Sequence, residues 1–523
     1  MMTTVPFDIP LDTPLDIPLD TPLDKATEHA WRQAWQSRDA HFDGRFFVGV
    51  VTTGIFCRTV CRVRRPNADN VRFFANASGA MASGFRPCLR CQPELAPGMR
   101  WQRSAGIVAD ALRLMESGPS EYHSVSVLAD ALSVSRRHLG RVFRQELGTS
   151  VQELLQSRRL MIAKQLLDET TLTVTDVAMA AGYGSVRRFN AHCLEVYGRS
   201  PTALRGKTGQ SADEITVSIP YRQPYDFESV LAYLAIRSMP NEQVNFDEGS
   251  WTRTEQQALP GDPQQGCSTV RVTNDSSSAC LRCQIHLSED NRRLAAVPDL
   301  MGRVRRIFDV NADPSEINRV LSQDDALAPL VQEMPGLRLP GAFSPFECAV
   351  RAIVGQQISV AAATTVIRAM ADKAGGLSPM ALLSINEEDF PMPGARAKTI
   401  RSLAKQVCRG GIRFDAPGDA LREGLLAIRG IGPWTADYVA MRAVSNPDVF
   451  LATDLGVKKR AKQLFGFDGE VALRARADAW RPYGGYAVMH LWLNVSQETS
   501  MKGRADVNPK IEDKIATLKD SRK

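Results

Sequence analysis

A multidomain, mainly helical protein carrying one small metal-organised α/β module follows from three features of the sequence. At 523 residues the chain is too long for one ordinary core, and three or four domains are expected. Two close cysteine pairs, Cys57 with Cys61 and Cys88 with Cys91, lie in one short segment. Beyond them, helical apolar spacing dominates, punctuated by serine N-caps and glycine turns. Apolar content of 44% with 23% charged residues describes a soluble globular protein. The net charge of +6 is modest, but basic residues gather around the motifs, a distribution that points to nucleic acid. No apolar run is long enough to span a membrane. Ten cysteines without a signal peptide imply a reducing cytoplasm, where thiolates bind metal and do not cross-link.

Residues 1–27 read as a disordered tail. Between residues 6 and 24, Pro-Leu-Asp-Thr alternates with Pro-Leu/Phe-Asp-Ile. Recurrent proline removes backbone donors, and the aspartates repel one another, which leaves an inert extension or a mimic of DNA charge.

Residues 28–100 hold the cysteine quartet, whose spacings suit four thiolates around one zinc ion. Arg58, Arg62, Arg64, Arg65, Arg72, Arg86 and Arg90 crowd these cysteines and can hold a phosphate backbone against a sulfur nucleophile. Thr52-Thr53-Gly54-Ile55-Phe56-Cys57-Arg58, Ala75-Asn76-Ala77-Ser78 and the run Gly84 to Pro93 closely resemble the amino-terminal module of the Ada methylation-response family. The resemblance implies a methyl acceptor at Cys57 that takes its methyl from a DNA phosphotriester. It also implies zinc ligation by Cys57, Cys61, Cys88 and Cys91, and DNA contacts at Arg64, Arg86 and Arg90. The family's lysine is replaced here by Leu89, which removes one expected phosphate contact.

Residues 101–205 predict nearly continuous helix. Val127 to Leu132 forms an amphipathic turn, and Ser133-Val134-Ser135 then supplies a break and an N-cap. The next helix puts Leu139, Val142, Phe143 and Leu147 inward and Arg137, Arg141 and Arg144 outward, the layout of a recognition helix. The pattern recurs: Val174 to Tyr183 precedes a helix capped by Ser185, with Phe189, Cys193 and Tyr197 inward and Arg187, Arg188 and His192 toward DNA. Two such units in tandem, closed by Tyr197-Gly198-Arg199-Ser200-Pro201, resemble the AraC family of transcription activators. That resemblance implies readers of adjacent major grooves and RNA polymerase as a partner.

Residues 206–214 are a polar linker, and 215–295 suggest an α+β region. Tyr225 to Arg237 reads as a helix, Gly266 to Val272 and Ala279 to Leu287 as strands. Within the second strand, Cys280 and Cys283 imitate a metal pair. Strand geometry puts residues three apart on opposite faces, so Cys283 points inward, Cys280 away, and chelation is excluded.

Residues 296–498 return to helix, and 499–523 form a polar tail. Leu425 to Tyr438 reads helix, tight hairpin, helix. Gly430 and Gly432 permit the turn and bare the backbone, and Pro433 suits a first helical position. Amides at such a helix start bind phosphate without reading bases. Asp454 follows in Val449-Phe450-Leu451-Ala452-Thr453-Asp454. Hairpin and aspartate together form the signature of helix-hairpin-helix base-excision glycosylases. Residues 216 to about 497 resemble the AlkA-type 3-methyladenine DNA glycosylase II family within that superfamily. The resemblance implies Asp454 as catalytic carboxylate, Trp434, Tyr438 and Trp492 as pocket walls, and Gln357 at the position of the family's leucine wedge, with Ile358 as an alternative plug. Related bifunctional enzymes carry a Schiff-base lysine where Trp434 stands, so strand cleavage is not expected.

The whole chain thus reads as a methylphosphotriester sensor and activator fused to a monofunctional glycosylase, with Zn²⁺ as cofactor and double-stranded DNA as partner. No Pro-Cys-His-Arg motif for guanine repair occurs. The competing reading is a transcription regulator whose glycosylase-like region only clamps DNA.

Overall fold

The computed structural model describes residues 24–98, 106–206, 215–257, 266–287, 294, 296–416 and 418–502. The tetrapeptide repeat, the linker beyond Gly206 and the polar tail beyond Lys502 lie outside these residues. The chain divides into two compact units, one from residues 1–223, 252–305 and 310–313, the other from 224–251, 306–309 and 314–523.

In the first unit, the helix Lys25–Ser37 begins where Asp24 accepts a hydrogen bond from the Thr27 amide at 2.9 Å. It lays Trp31 and Trp35 into an aromatic core with Phe46 and Phe73, the Trp31 and Phe46 rings stacked at 4.7 Å. The sheet beside it has the order Val71–Phe74, Phe47–Val50, Ile55–Arg58, Arg86–Pro87, the first three antiparallel and the last parallel. So small a module has little apolar area to bury, and aromatic stacking supplies much of it.

Seven helices follow between Ile107 and Leu204, and hydroxyl residues cap the starts of all but the first. Ser124 caps Val125–Ala131, Ser135 caps Arg136–Leu147, Ser150 caps Val151–Glu169, Thr173 caps Val174–Ala180 and Ser185 caps Val186–Tyr197. Ser150 with Glu153, and Thr173 with Asp176, form reciprocal capping boxes. The two helix-turn-helix units are therefore written locally, and the 19-residue helix Val151–Glu169 joins them. Leu139, Phe143 and Leu147 are buried as expected from their spacing, as are Phe189, Cys193 and Tyr197.

The α+β region places the strands Ile215–Pro220, Cys280–His286, Gly266–Asp275 and Ser250–Gln257 side by side in that order. Sequence reading located two of these. Ser250–Gln257 escaped because Arg253, only 1% exposed, occupies an inward position and pairs with Glu255, which disguises the alternation. Cys280 lies on the face opposite Cys283, as the alternation implies, yet it too is buried, at 5% exposed. The face it lies on is covered, since the neighbouring Ser218 amide donates to Glu169 of the long helix at 3.0 Å.

The second unit is helical around Pro345–Val354 and Pro433–Ala443. The hairpin between Gly418–Leu426 and Pro433–Ala443 turns at Gly430, whose φ is +96°. A Cβ there would lie 2.1 Å from Thr399 Oγ1, the hydroxyl that donates to the Arg429 carbonyl at 3.0 Å. Gly430→Ala is expected to destabilise this unit by roughly 2 kcal/mol or more through strain and clash. Gly432→Ala, with φ −95° and open space around it, should leave thermal unfolding unchanged. Equal melting temperatures for the two variants would contradict the geometry of the turn.

Candidate functional sites

Cys57 is the next-to-last residue of the strand Ile55–Arg58, and Cys61 follows a turn closed by its amide donating to the Arg58 carbonyl at 3.2 Å. Cys88 comes off the parallel strand with its amide on the Phe56 carbonyl at 3.0 Å, and the Gln92 amide closes the last turn on the Cys88 carbonyl at 3.1 Å. The four sulfurs lie within 4.8 Å of one another. A tetrahedral ion with metal–sulfur bonds near 2.3 Å spaces its ligands about 3.8 Å apart, so one ion fits this quartet. Three of the four are buried, and Cys91 is half-buried. Crowding splits the thiols: Cys57 is pushed up by hydrogen bonds first with Cys61 and then Cys88, while Cys88 is pushed down by its bond with Cys57. Four sulfurs at this separation cannot all be thiolates unless a cation offsets them.

Arg58 is not part of the outward arginine ring that sequence proximity suggested. Its guanidinium turns inward, pairs with Asp43, and donates to the Cys91 carbonyl at 3.3 Å, while its amide donates to Cys91 Sγ at 3.4 Å. Arg38, which sequence reading passed over, ties down the other loop through the Cys61 and Val63 carbonyls at 2.9 and 3.1 Å. Arg64, Arg86 and Arg90 are exposed, and Leu89 is 42% exposed among them. On the reader helices Arg137, Arg141, Arg144, Arg187 and Arg188 are exposed. His192 is half-buried and shares a 2.8 Å hydrogen bond with the Tyr183 hydroxyl, so its ring is already engaged.

In the second unit, Asp454 is the N-cap of Leu455–Phe465 and accepts from the Val457 amide at 3.0 Å. Both carboxylate oxygens also face indoles: Trp492 Nε1 donates to Oδ1 at 2.9 Å and Trp434 Nε1 to Oδ2 at 3.0 Å. Gly456 leaves room for this, since a Cβ there would sit 3.1 Å from Asp454 Oδ1 and 3.3 Å from the Trp492 ring. Trp434 stacks on Tyr438 at 5.3 Å, and Tyr438 lies 6.3 Å from Trp492. The three aromatics and the carboxylate thus converge.

Two pocket residues had no local signal. Buried Arg442 donates to the Tyr438 hydroxyl at 3.0 Å, the Tyr233 hydroxyl at 2.5 Å and the Gly341 carbonyl at 2.8 Å. Only its four-residue spacing from Tyr438 on one helix could have suggested it. Burial pushes the Tyr438 phenol up to about 12, so it stays a neutral wall. Gln357, at φ +61°, is exposed, Ile358 is half-buried, and Gln356 braces the hairpin by donating to the Gly430 carbonyl and Thr435 Oγ1, each at 3.0 Å.

A four-sulfur cluster, paired helix-turn-helix units and a helix-hairpin-helix with one carboxylate among three aromatics occur together in this chain. Family models match in the same order: the metal binding domain of Ada over residues 30–94, a helix-turn-helix domain over 128–207, the AlkA N-terminal domain over 216–344 and the HhH-GPD superfamily of base excision DNA repair proteins over 350–483. The probable bifunctional transcriptional activator/DNA repair enzyme AlkA of Mycobacterium tuberculosis is 36% identical over 481 residues, 87% of this chain and 94% of that protein. The chain belongs to this bifunctional family. Escherichia coli DNA-3-methyladenine glycosylase 2 is 30% identical over 53% of this chain and 96% of its own. The E. coli bifunctional transcriptional activator/DNA repair enzyme Ada is 36% identical over 32% of this chain and 46% of its own. No helix among the described residues is long and apolar enough to cross a membrane.

Metal removal should expose the quartet. Under reducing conditions, a strong chelator is expected to release one ion per chain, make the four thiols reactive and change the Trp31 and Trp35 fluorescence. Cysteines as unreactive after chelation as before would contradict a metal-held quartet.

Proposed function

We propose that this protein detects and repairs DNA alkylation by two chemistries and acts as a transcription activator. In the first, the Cys57 thiolate attacks the methyl carbon of a DNA methylphosphotriester. An S–C bond forms, the C–O bond breaks, and its electrons return to the phosphate as a diester anion. The thioether is stable, so each molecule reacts once. Cys57, Cys61, Cys88 and Cys91 would hold a zinc ion, which would keep the sulfurs deprotonated at neutral pH. Arg64, Arg86 and Arg90 would hold the phosphates, and Arg137, Arg141, Arg144, Arg187 and Arg188 would read the promoter for RNA polymerase in the cytoplasm.

The second chemistry is hydrolytic release of alkylated purines of the 3-methyladenine type. Gly430 and Gly432 present amides to the backbone, and Gln357, or Ile358, fills the stack vacated by a flipped nucleotide. Methylation at N3 or N7 makes the base cationic, so it departs with the C1′–N electrons and needs no general acid. Asp454 stabilises the oxocarbenium-like sugar, water adds at C1′, and one proton is released. Tyr438, Trp434 and Trp492 receive the base by stacking. The observation that carries this reading is Asp454 itself: a carboxylate fixed at a helix start, with an indole on each oxygen and three aromatic walls around it. A DNA clamp has no use for such a group.

One alkylated duplex tests both chemistries. Asp454→Asn keeps shape and binding but should lower methylpurine release by at least about a hundredfold, the scale of one electrostatic group in a transition state. Cys57→Ala should abolish methyl uptake and leave base release at the wild-type rate. Normal release by Asp454→Asn would mean that the pocket only binds DNA.

A further inference from the structure

The first unit contains a buried ionic cluster whose members come from the metal module and from the α+β region, taken here with residues 310–313, which belong to the same unit. Arg45, just before the strand Phe47–Val50, donates to Asp313 Oδ1 at 2.7 Å, with the two side chains 7% and 0% exposed. Arg222 approaches the other oxygen at 3.8 Å and donates to the Gly98 carbonyl at 2.9 Å and the Asn311 carbonyl at 3.3 Å. Asn311 in turn donates to Glu116 at 2.9 Å. The backbones meet at glycines. A Cβ on Gly98 would fall 2.1 Å from Asn311 Oδ1, and one on Gly44 would fall 2.2 Å from the Pro97 carbonyl and 3.3 Å from the Arg222 guanidinium.

Two further contacts extend the seam. Gln165 of the long helix donates to the Ser218 carbonyl at 2.7 Å, and the Ser120 amide donates to Asp299 at 3.0 Å. A carboxylate as buried as Asp313 is tolerated only beside cations, and one of them is supplied by the metal module. The seam also reaches the sulfurs: Asp43, two residues before Arg45, holds Arg58, whose amide faces Cys91 Sγ.

We propose that the partner of the sensor and reader modules is the α+β region of their own chain, joined through the Arg45–Asp313–Arg222 cluster into one interlocked body. The polar linker at 207–214 is then not the tether that holds the two halves together. This inference stands independently of the proposed chemistries.

A protease recognition sequence placed within residues 207–214 of the full-length, metal-loaded protein allows the folded chain to be cut in two. The two fragments are expected to co-elute from a sizing column at low and at moderate salt. Arg45→Met, which removes the 2.7 Å ion pair on Asp313 Oδ1, should weaken that association roughly a hundredfold. Wild-type fragments that separate on cutting would overturn the proposal, whatever the variant does. Fragments of Arg45→Met that stay together as tightly as wild type would remove the ionic cluster from it. Methyl uptake and base release by the uncut protein report separately on the proposed chemistries.

Discussion

Four sulfurs within 4.8 Å of one another set the terms for the first part of the molecule. Four thiolates carry a formal charge of −4, and no protein interior of this size holds that without a cation. A dication would lower it to −2 and tie together the two loops that leave the same end of adjacent parallel strands. The surrounding backbone then completes the site: the Arg58 amide on Cys91 Sγ, and Arg58 and Arg38 on the loop carbonyls.

The glycosylase-type half depends on a single carboxylate used twice. As N-cap, Asp454 satisfies an amide that would otherwise lack a partner at the start of its helix. As the centre of the pocket, it orients Trp434 and Trp492 through their ring nitrogens, so the aromatic walls and the charge are set by one side chain. Capping a helix and standing among the pocket aromatics are therefore compatible roles for one side chain.

Legibility followed distance along the chain. The cysteine ligands, the serine-capped reader helices, and the Gly430 and Gly432 hairpin are local patterns, and the sequence displays them directly. Arg442 and Tyr233 were hidden because their partnership spans 209 residues, and Arg45 and Asp313 because theirs spans 268. Arg58 was misread for a related reason. A charge near a metal ligand in sequence faces DNA or the interior depending on where its counter-charge lies, and Asp43 draws it inward. Cys280 followed the strand's alternation correctly, but that face is covered by a helix 110 residues earlier.

Charge at the metal is the most direct handle on how sensing becomes regulation. On the proposed reading, methylation of Cys57 turns one thiolate into a thioether and takes the site from −2 to −1. At a few ångströms one unit charge is worth roughly 1–4 kcal/mol between bulk water and a surface-like dielectric, or about tenfold to several hundredfold in affinity before screening. The decisive measurement is promoter affinity before and after stoichiometric methylation, at low and at physiological salt. Tighter binding after methylation, with the gain shrinking as salt rises, is the predicted result. Unchanged affinity at low salt, where the effect is largest, would contradict the switch and leave Cys57 as repair chemistry alone.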